Sequence, residues 1–190
     1  MGVRPDGDYN FSKDDQHISN MLNQSLFATT AVVKQRNAVK IDKDLDLRKF
    51  GPLGCRYVTG SGTVLNALQP RPGQTIAVFG TGAVGLAAMM AAKISGYTKI
   101  IAVDRNDNRL ELAKELGATH TINTNDAEPV QAIRDLTNGY GGDFSIDTTG
   151  APVITKAAID ALTIGGTCAG IAVTSNSVNI SEWGDLSAFD

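Results

Sequence analysis

Basic charge, cysteine and long apolar runs are all scarce in this chain, and each scarcity removes a class of function. Lysine and arginine total 17 against 20 acids, a formal net charge of −3, so there is no basic footprint for nucleic acid or an anionic membrane. Only two cysteines, Cys55 and Cys168, occur in 190 residues. That is too few for a disulfide scaffold and suits a reducing compartment, with the cytoplasm as the expected location. The longest apolar stretch, around Leu86 to Ala92, is rich in Ala and Met and much too short to span a bilayer. No basic segment followed by an apolar one opens the chain, so no secretory signal is expected. Met1-Gly2 invites an N-myristoylation reading, which fails on Asp6. Histidine is scarce too, His17 and His120 alone. Glycine, by contrast, is abundant at 20 residues, and its placement carries the first positive signal.

Gly80-Thr81-Gly82-Ala83-Val84-Gly85 directly follows the apolar run Thr75-Ile76-Ala77-Val78-Phe79, and Asp104 ends the next apolar run. A GxGxxG alone is weak; a strand before it, a helix after it and an acid beyond make a dinucleotide fingerprint. Gly80 can take the backbone angles of a tight strand-to-helix turn. Gly82 has no Cβ and lets a pyrophosphate approach the backbone. Gly85 lets the helix pack on the strand. The helix N-terminus offers unpaired N–H groups and a positive dipole end to phosphates. Asp104 can accept hydrogen bonds from both adenosine ribose hydroxyls and would repel a 2′-phosphate, which favours NAD over NADP. Arg105 is the counter-argument, since it could pair with a 2′-phosphate. Beside Asp104 it is expected to lie against the adenine or in solvent.

The rest of the chain predicts an α/β protein. Residues 1 to about 18 are polar and turn-rich and are expected as a loop; 26–33 and 38–41 are expected as two short strands flanking a turn. Val64, Leu65 and Leu68 recur at helical spacing from Ser61, stopped at Gln69-Pro70. Beyond this, strands at 75–79, 99–103, 120–124, 143–147 and 167–173 alternate with helices at about 83–94, 107–116 and 128–137 and from Pro152. Asn106 or Asp107 caps the second of these helices, and Gly165-Gly166 turns the chain into the last strand. Such alternation predicts a doubly wound parallel Rossmann sheet with helices on both faces. Its strand order would be 3-2-1-4-5-6 with five strands present and the sixth missing. The 167–173 strand would then leave an edge for a tail at about 178–189, or for a second chain in a homo-oligomer, to cover.

Gly54-Cys55-Arg56-Tyr57-Val58-Thr59-Gly60-Ser61-Gly62 resembles the segment of zinc-dependent medium-chain alcohol dehydrogenases that carries the third catalytic zinc ligand and leads into the cofactor domain. Ser25-Leu26-Phe27-Ala28, Asn37-Ala38-Val39-Lys40-Ile41, Gly51-Pro52-Leu53-Gly54-Cys55 and Leu65-Asn66-Ala67-Leu68 resemble the aryl-alcohol (benzyl-alcohol) dehydrogenase branch. So do 76–85, Glu111-Leu112-Ala113-Lys114-Glu115-Leu116-Gly117-Ala118-Thr119 and Asp147-Thr148-Thr149-Gly150.

The resemblance implies residues 1–58 as the remnant of a catalytic (GroES-like) domain and 59–190 as a C-terminally incomplete NAD-binding domain. It implies zinc-assisted hydride transfer from a small alcohol, an aromatic primary alcohol in this branch, to NAD. Cys55 would be one of three zinc ligands, Thr59 would lie beside the nicotinamide and Val84 behind its ring. Gly80, Gly82, Ala83 and Gly85 would follow the pyrophosphate, with Asp104 on the ribose and Arg109 a nearby cation.

The family's other two zinc ligands, its proton-relay hydroxyl and its four-cysteine structural zinc lobe would lie N-terminal to this chain. The 190 residues alone are therefore expected to bind NAD, to retain no zinc and to be inactive, with Cys55 a free thiol and Cys168 core. Arg56, where the family usually has glycine, places a cation beside the zinc position. His17 and His120 read as ordinary structure. Two alternatives stand beside the dehydrogenase: a bare NAD-binding module, and a zinc-free medium-chain reductase, against which Cys55 argues.

Overall fold

A computed structural model describes residues 7, 9, 11–18, 29–31, 33–172, 177 and 178. The chain divides into two compact units, Met1–Asp46 and Leu47–Asp190.

In the first unit β1 (Phe11–Lys13) and β2 (Gln16–Ile18) form an antiparallel hairpin in the register Phe11↔Ile18 and Lys13↔Gln16. Asp14 sits at φ 53°, a left-handed conformation that aspartate tolerates. This hairpin replaces the loop expected there. The expected strands at 26–33 and 38–41 are not found: residues 26–28 and 32 lie outside the described residues, and the others carry no strand. A single 3₁₀ turn at Gln35–Asn37 lies between them. β-branched composition makes a strand only where a neighbour completes the ladder and buries a face. Val39 is 85% exposed and has neither.

The second unit opens with α1 (Leu47–Phe50) and then a helical run whose middle is α2 (Val58–Gly62). Wide π-type turns flank α2 at Leu53–Tyr57 and Thr63–Leu68. Their i→i+5 bonds run from Tyr57 N–H to Pro52 O (3.3 Å) and from Gln69 N–H to Val64 O (3.2 Å). Helix thus begins at Leu53 rather than at the expected Ser61. Gly54, Gly60 and Gly62 are poor helix formers and mask it in the sequence.

The alternating frame follows. β3 (Thr75–Phe79), α3 (Ala83–Ile94), β4 (Lys99–Asp104), α4 (Asp107–Leu116) and β5 (His120–Asn123) come first. α5 (Pro129–Leu136), β6 (Gly142–Asp147), α6 (Pro152–Asp160) and β7 (Leu162–Gly170) complete it. The five strands form one parallel sheet in the order β5-β4-β3-β6-β7, as the doubly wound fold requires. Helix starts are set by local chemistry. Asn106 accepts from the Arg109 N–H (3.2 Å), and Glu128 accepts from Val130 and Gln131 (3.1 and 2.7 Å). Pro129 and Pro152 occupy first-turn positions, where no N–H is needed.

Alternation along β3 builds two cores. Ile76 and Val78 pack with Met89, Ile100, Leu110 and Ile146 on one face, and Ala77 and Phe79 with Ile101, Ile122, Ile133 and Ala158 on the other. β7 departs from expectation. It starts at Leu162, and Gly165-Gly166 lies inside it as a bulge between the pairs Gly142↔Leu162 and Phe144↔Thr167. Gly165 takes φ +76° there. Among the described residues β7 pairs with β6 alone, and the tail expected to cover its outer edge lies almost wholly outside them. No helix among the described residues is long and apolar enough to cross a membrane.

Candidate functional site

β3 ends at Phe79 and the chain turns at Gly80 with φ +94°, a conformation that favours glycine. A Cβ on Gly80 would lie 2.4 Å from Thr148 Oγ1 and 3.0 Å from Thr149 Cγ2, so the segment that follows β6 approaches the turn closely. A Cβ on Gly85 would lie 1.9 Å from Gly80 O. Gly82 differs: a Cβ there would meet nothing within 4 Å, because the surface in front of it is open. Gly82 is also the N-cap of α3, which no side chain caps. The opening N–H groups of α3 are therefore left for water or for an anion.

Across the mouth of the turn stands Asp104, the last residue of β4. Its Oδ2 accepts from the Thr81 N–H (2.8 Å) and the Thr81 hydroxyl (2.7 Å), and its Oδ1 from the N–H groups of Arg105 (2.8 Å) and Asn106 (3.1 Å). Burial works to raise the Asp104 pKa, but these hydrogen bonds, those from Thr81 foremost, outweigh it and hold the carboxyl below its usual value. The group is an anchored carboxylate.

A cavity of about 590 Å³ lies outside the carboxyl ends of β3, β4 and β6; Gly80, Gly82, Asp104, Arg105, Arg109, Thr148 and Thr149 are in its lining. This is the crevice where the strand order reverses, the ligand position of open α/β sheets. Uncapped N–H groups, a bare Gly82, a fixed carboxylate and two rim arginines form a donor and acceptor set that suits a diphosphate joined to a vicinal diol. The residues present fit a dinucleotide.

Ala83, Val84, Gly85 and Thr59 lie outside that lining. Ala83, Val84 and Gly85 open α3, and half-buried Thr59 lies on α2. Gly60, next to Thr59, joins the two helices: a Cβ there would lie 2.1 Å from Val84 O and 2.9 Å from Ala88 N. The fold thus brings the Thr59 segment against the Val84 turn of α3.

Three features left little or no signal in the sequence. Thr81 reads as a spacer in the glycine turn, yet it is 1% exposed and clamps Asp104. Asp147, 2% exposed at the end of β6, accepts from the N–H and hydroxyl of Thr149 (2.8 and 2.7 Å) and from the Thr155 hydroxyl (2.6 Å). Thr148 donates its hydroxyl to Phe79 O (3.0 Å) and Gly80 O (3.2 Å). Only the run Asp147-Thr148-Thr149-Gly150 hinted at the last two.

The metal side is different. Cys55 is an exposed free thiol, and no three His, Cys, Asp or Glu side chains gather into a metal-binding group among the described residues. Catalytic zinc takes three protein ligands, so these residues do not fit one. His17 stacks on Tyr9 at 4.6 Å between ring centroids, and His120 Nδ1 lies 2.9 Å from Thr119 Oγ1. Cys168, expected as core, is half-buried at the edge of the second core, and burial pushes its thiol pKa up.

Comparison with known proteins identifies the family. Residues 83–187 match the model of a family described as zinc-binding dehydrogenase. The chain is 40% identical over 174 residues to alcohol dehydrogenase class-2 isozyme 2 of Oryctolagus cuniculus, covering 90% of this chain and 46% of that protein. It is 42% identical over 150 residues to geraniol dehydrogenase of Castellaniella defragrans, covering 78% and 40%. The structure of benzyl alcohol dehydrogenase from Acinetobacter calcoaceticus superposes with a TM-score of 0.85 at 38% identity, over 98% of this chain and 51% of that one. The chain thus spans about half the length, or less, of these relatives. With the family model covering more than half of its residues, the chain belongs to the zinc-binding dehydrogenase family.

Proposed function

We propose that this chain binds NAD(H) in preference to NADP(H) and forms the dinucleotide-binding part of an alcohol dehydrogenase that converts an aromatic primary alcohol to its aldehyde. Residues 59–190 are the NAD-binding domain in this proposal, and 1–58 belong to the catalytic domain. The observation that carries it is the anchored Asp104 carboxylate facing the open glycine turn across one cavity. The bound dinucleotide supplies a hydride acceptor. The protein's part is placement. The N–H groups at Gly82, Ala83, Val84 and Gly85 hold the pyrophosphate, with Gly80 shaping the turn. Asp104 takes the ribose hydroxyls, Arg109 lies at the adenosine end, and Thr59 and Val84 border the nicotinamide. Cys55 is the one zinc donor assigned to this chain. Family membership and the benzyl alcohol dehydrogenase neighbour support the substrate class; two free cysteines suit a cytoplasmic setting. The outer edge of β7, unpaired among the described residues, is where a second copy of the chain would associate.

Fluorescence titration with NADH and NADPH tests the binding claim. NADH should bind more tightly, and Asp104→Ala should weaken it by roughly tenfold or more, as expected when hydrogen bonds to a charged acceptor are lost. Equal affinity for the two dinucleotides in the unmutated chain would sink the proposal.

A further inference from the structure

We infer that Thr81 is a specificity-determining positioning residue, whose hydroxyl and N–H together pin Asp104 in the orientation that admits NAD and rejects NADP. The inference rests on the dinucleotide site proposed above and adds the residue that makes its acid selective.

All four donors to Asp104 come from the chain itself, two from Thr81 onto Oδ2 and two from the loop N–H groups onto Oδ1. The Oδ1 pair comes from the residues that follow Asp104, so those bonds travel with its own backbone. Thr81 is the outside anchor, 23 residues away in sequence and on a different strand-to-helix turn. It is almost completely buried, which protects the bond from water.

The anchor matters because two cations share the lining with Asp104. Arg105 and Arg109 line the same cavity and make no ion pair with an acid among the described residues. A carboxylate free to rotate could turn toward either guanidinium. Such a pair would cancel the negative charge that repels a 2′-phosphate and withdraw the acceptor meant for the ribose. With Oδ2 tied to Thr81, the charge stays where the 2′-position must pass. The carboxylate is then preorganised, and binding does not have to fix its rotamer.

The test compares NADH and NADPH titrations of the full chain with those of Thr81→Val, Thr81→Ser and Asp104→Asn. Valine keeps the branched shape and the N–H but removes the hydroxyl; serine keeps the hydroxyl. Thr81→Val should raise the NADH dissociation constant roughly tenfold and change NADPH less, which narrows the preference. Thr81→Ser should retain the wild-type ratio, a rescue that a role in packing alone would not give. If the valine variant does not fold, as circular dichroism would show, Thr81→Ala makes the same comparison without the added methyl. A folded hydroxyl-free variant with an unchanged ratio overturns the inference. So does tighter NADH binding, which would mean that the hydroxyl competes with the ribose. If Asp104→Asn loses the preference while the Thr81 variants keep it, only the role of Thr81 falls. If the unmutated chain shows no preference, the dinucleotide proposal falls and takes Thr81 with it.

Discussion

At the scale of single residues, the glycines of the turn divide into those the fold needs and one it does not. Gly80 and Gly85 are hemmed in by backbone and by Thr148, whereas Gly82 faces open space. Gly82→Ala should therefore leave the melting temperature within about 2 °C of the parent, a change in stability of under ~0.5 kcal/mol. It should still weaken NADH severalfold, read by titration, because its methyl would occupy the place of the pyrophosphate. Asp104 makes a second prediction, through acid. Its pKa is lower in the folded chain than in the unfolded one, so its contribution to stability is complete above the unfolded value. That contribution is lost as pH falls through the unfolded and then the folded pKa. Acid unfolding curves of Asp104→Asn and the parent should accordingly converge below about pH 4 and separate above it. The outer part of this site was legible in sequence, since glycines and an acid at fixed offsets have few other uses. The Thr81 clamp was not, because a threonine among glycines carries no sign of the partner 23 residues on.

At the scale of elements, α2 and α3 depend on a single missing methyl. A Cβ on Gly60 would sit 2.1 Å from Val84 O and 2.9 Å from Ala88 N, both backbone atoms that no rotamer change can move. Gly60→Ala should separate the two helices at a cost of about 1–3 kcal/mol. It should also weaken NADH, since Val84 belongs to the turn that borders the proposed site. Thermal melts with and without NADH would check both effects. Unchanged melting would mean that the helices separate freely. Elements with a strong period were readable: α3 spans Ala83–Ile94 as its sequence suggests, and the capped helices after it begin within a residue or two of their caps. Elements that depend on a partner were not. β1 and β2 are three residues each, too short to show alternation, and 38–41 has strand composition without a ladder to join. The bulge in β7 hid behind Gly165-Gly166, a pair that reads as a turn and is used as an irregularity within a strand.

At the scale of the whole molecule, chemistry and cofactor binding are expected to come apart. Cys55 stands without a metal-binding group among the described residues. The chain as it stands should then carry no stoichiometric zinc by metal analysis and should not reduce NAD in the presence of benzyl alcohol, while still binding NADH. About one tightly held zinc per chain, lost on Cys55→Ser, would contradict this. The strand order β5-β4-β3-β6-β7 carries one more consequence, and it concerns time. β3, β4 and β5 are consecutive in the chain and can zip together by short crossovers. β6 must instead find β3 across the whole intervening segment, pairing Ile76 with Phe144, and only then can β7 dock. Closing that longer loop raises the entropy cost slowly but sets the pace of assembly. Thr148 and Thr149 arrive with β6, while Asp104 and the glycine turn belong to the half formed earlier. The crevice does not exist until the two halves meet. During refolding, recovery of NADH binding should lag behind recovery of helical signal, so the ligand would report the moment when the sheet closes.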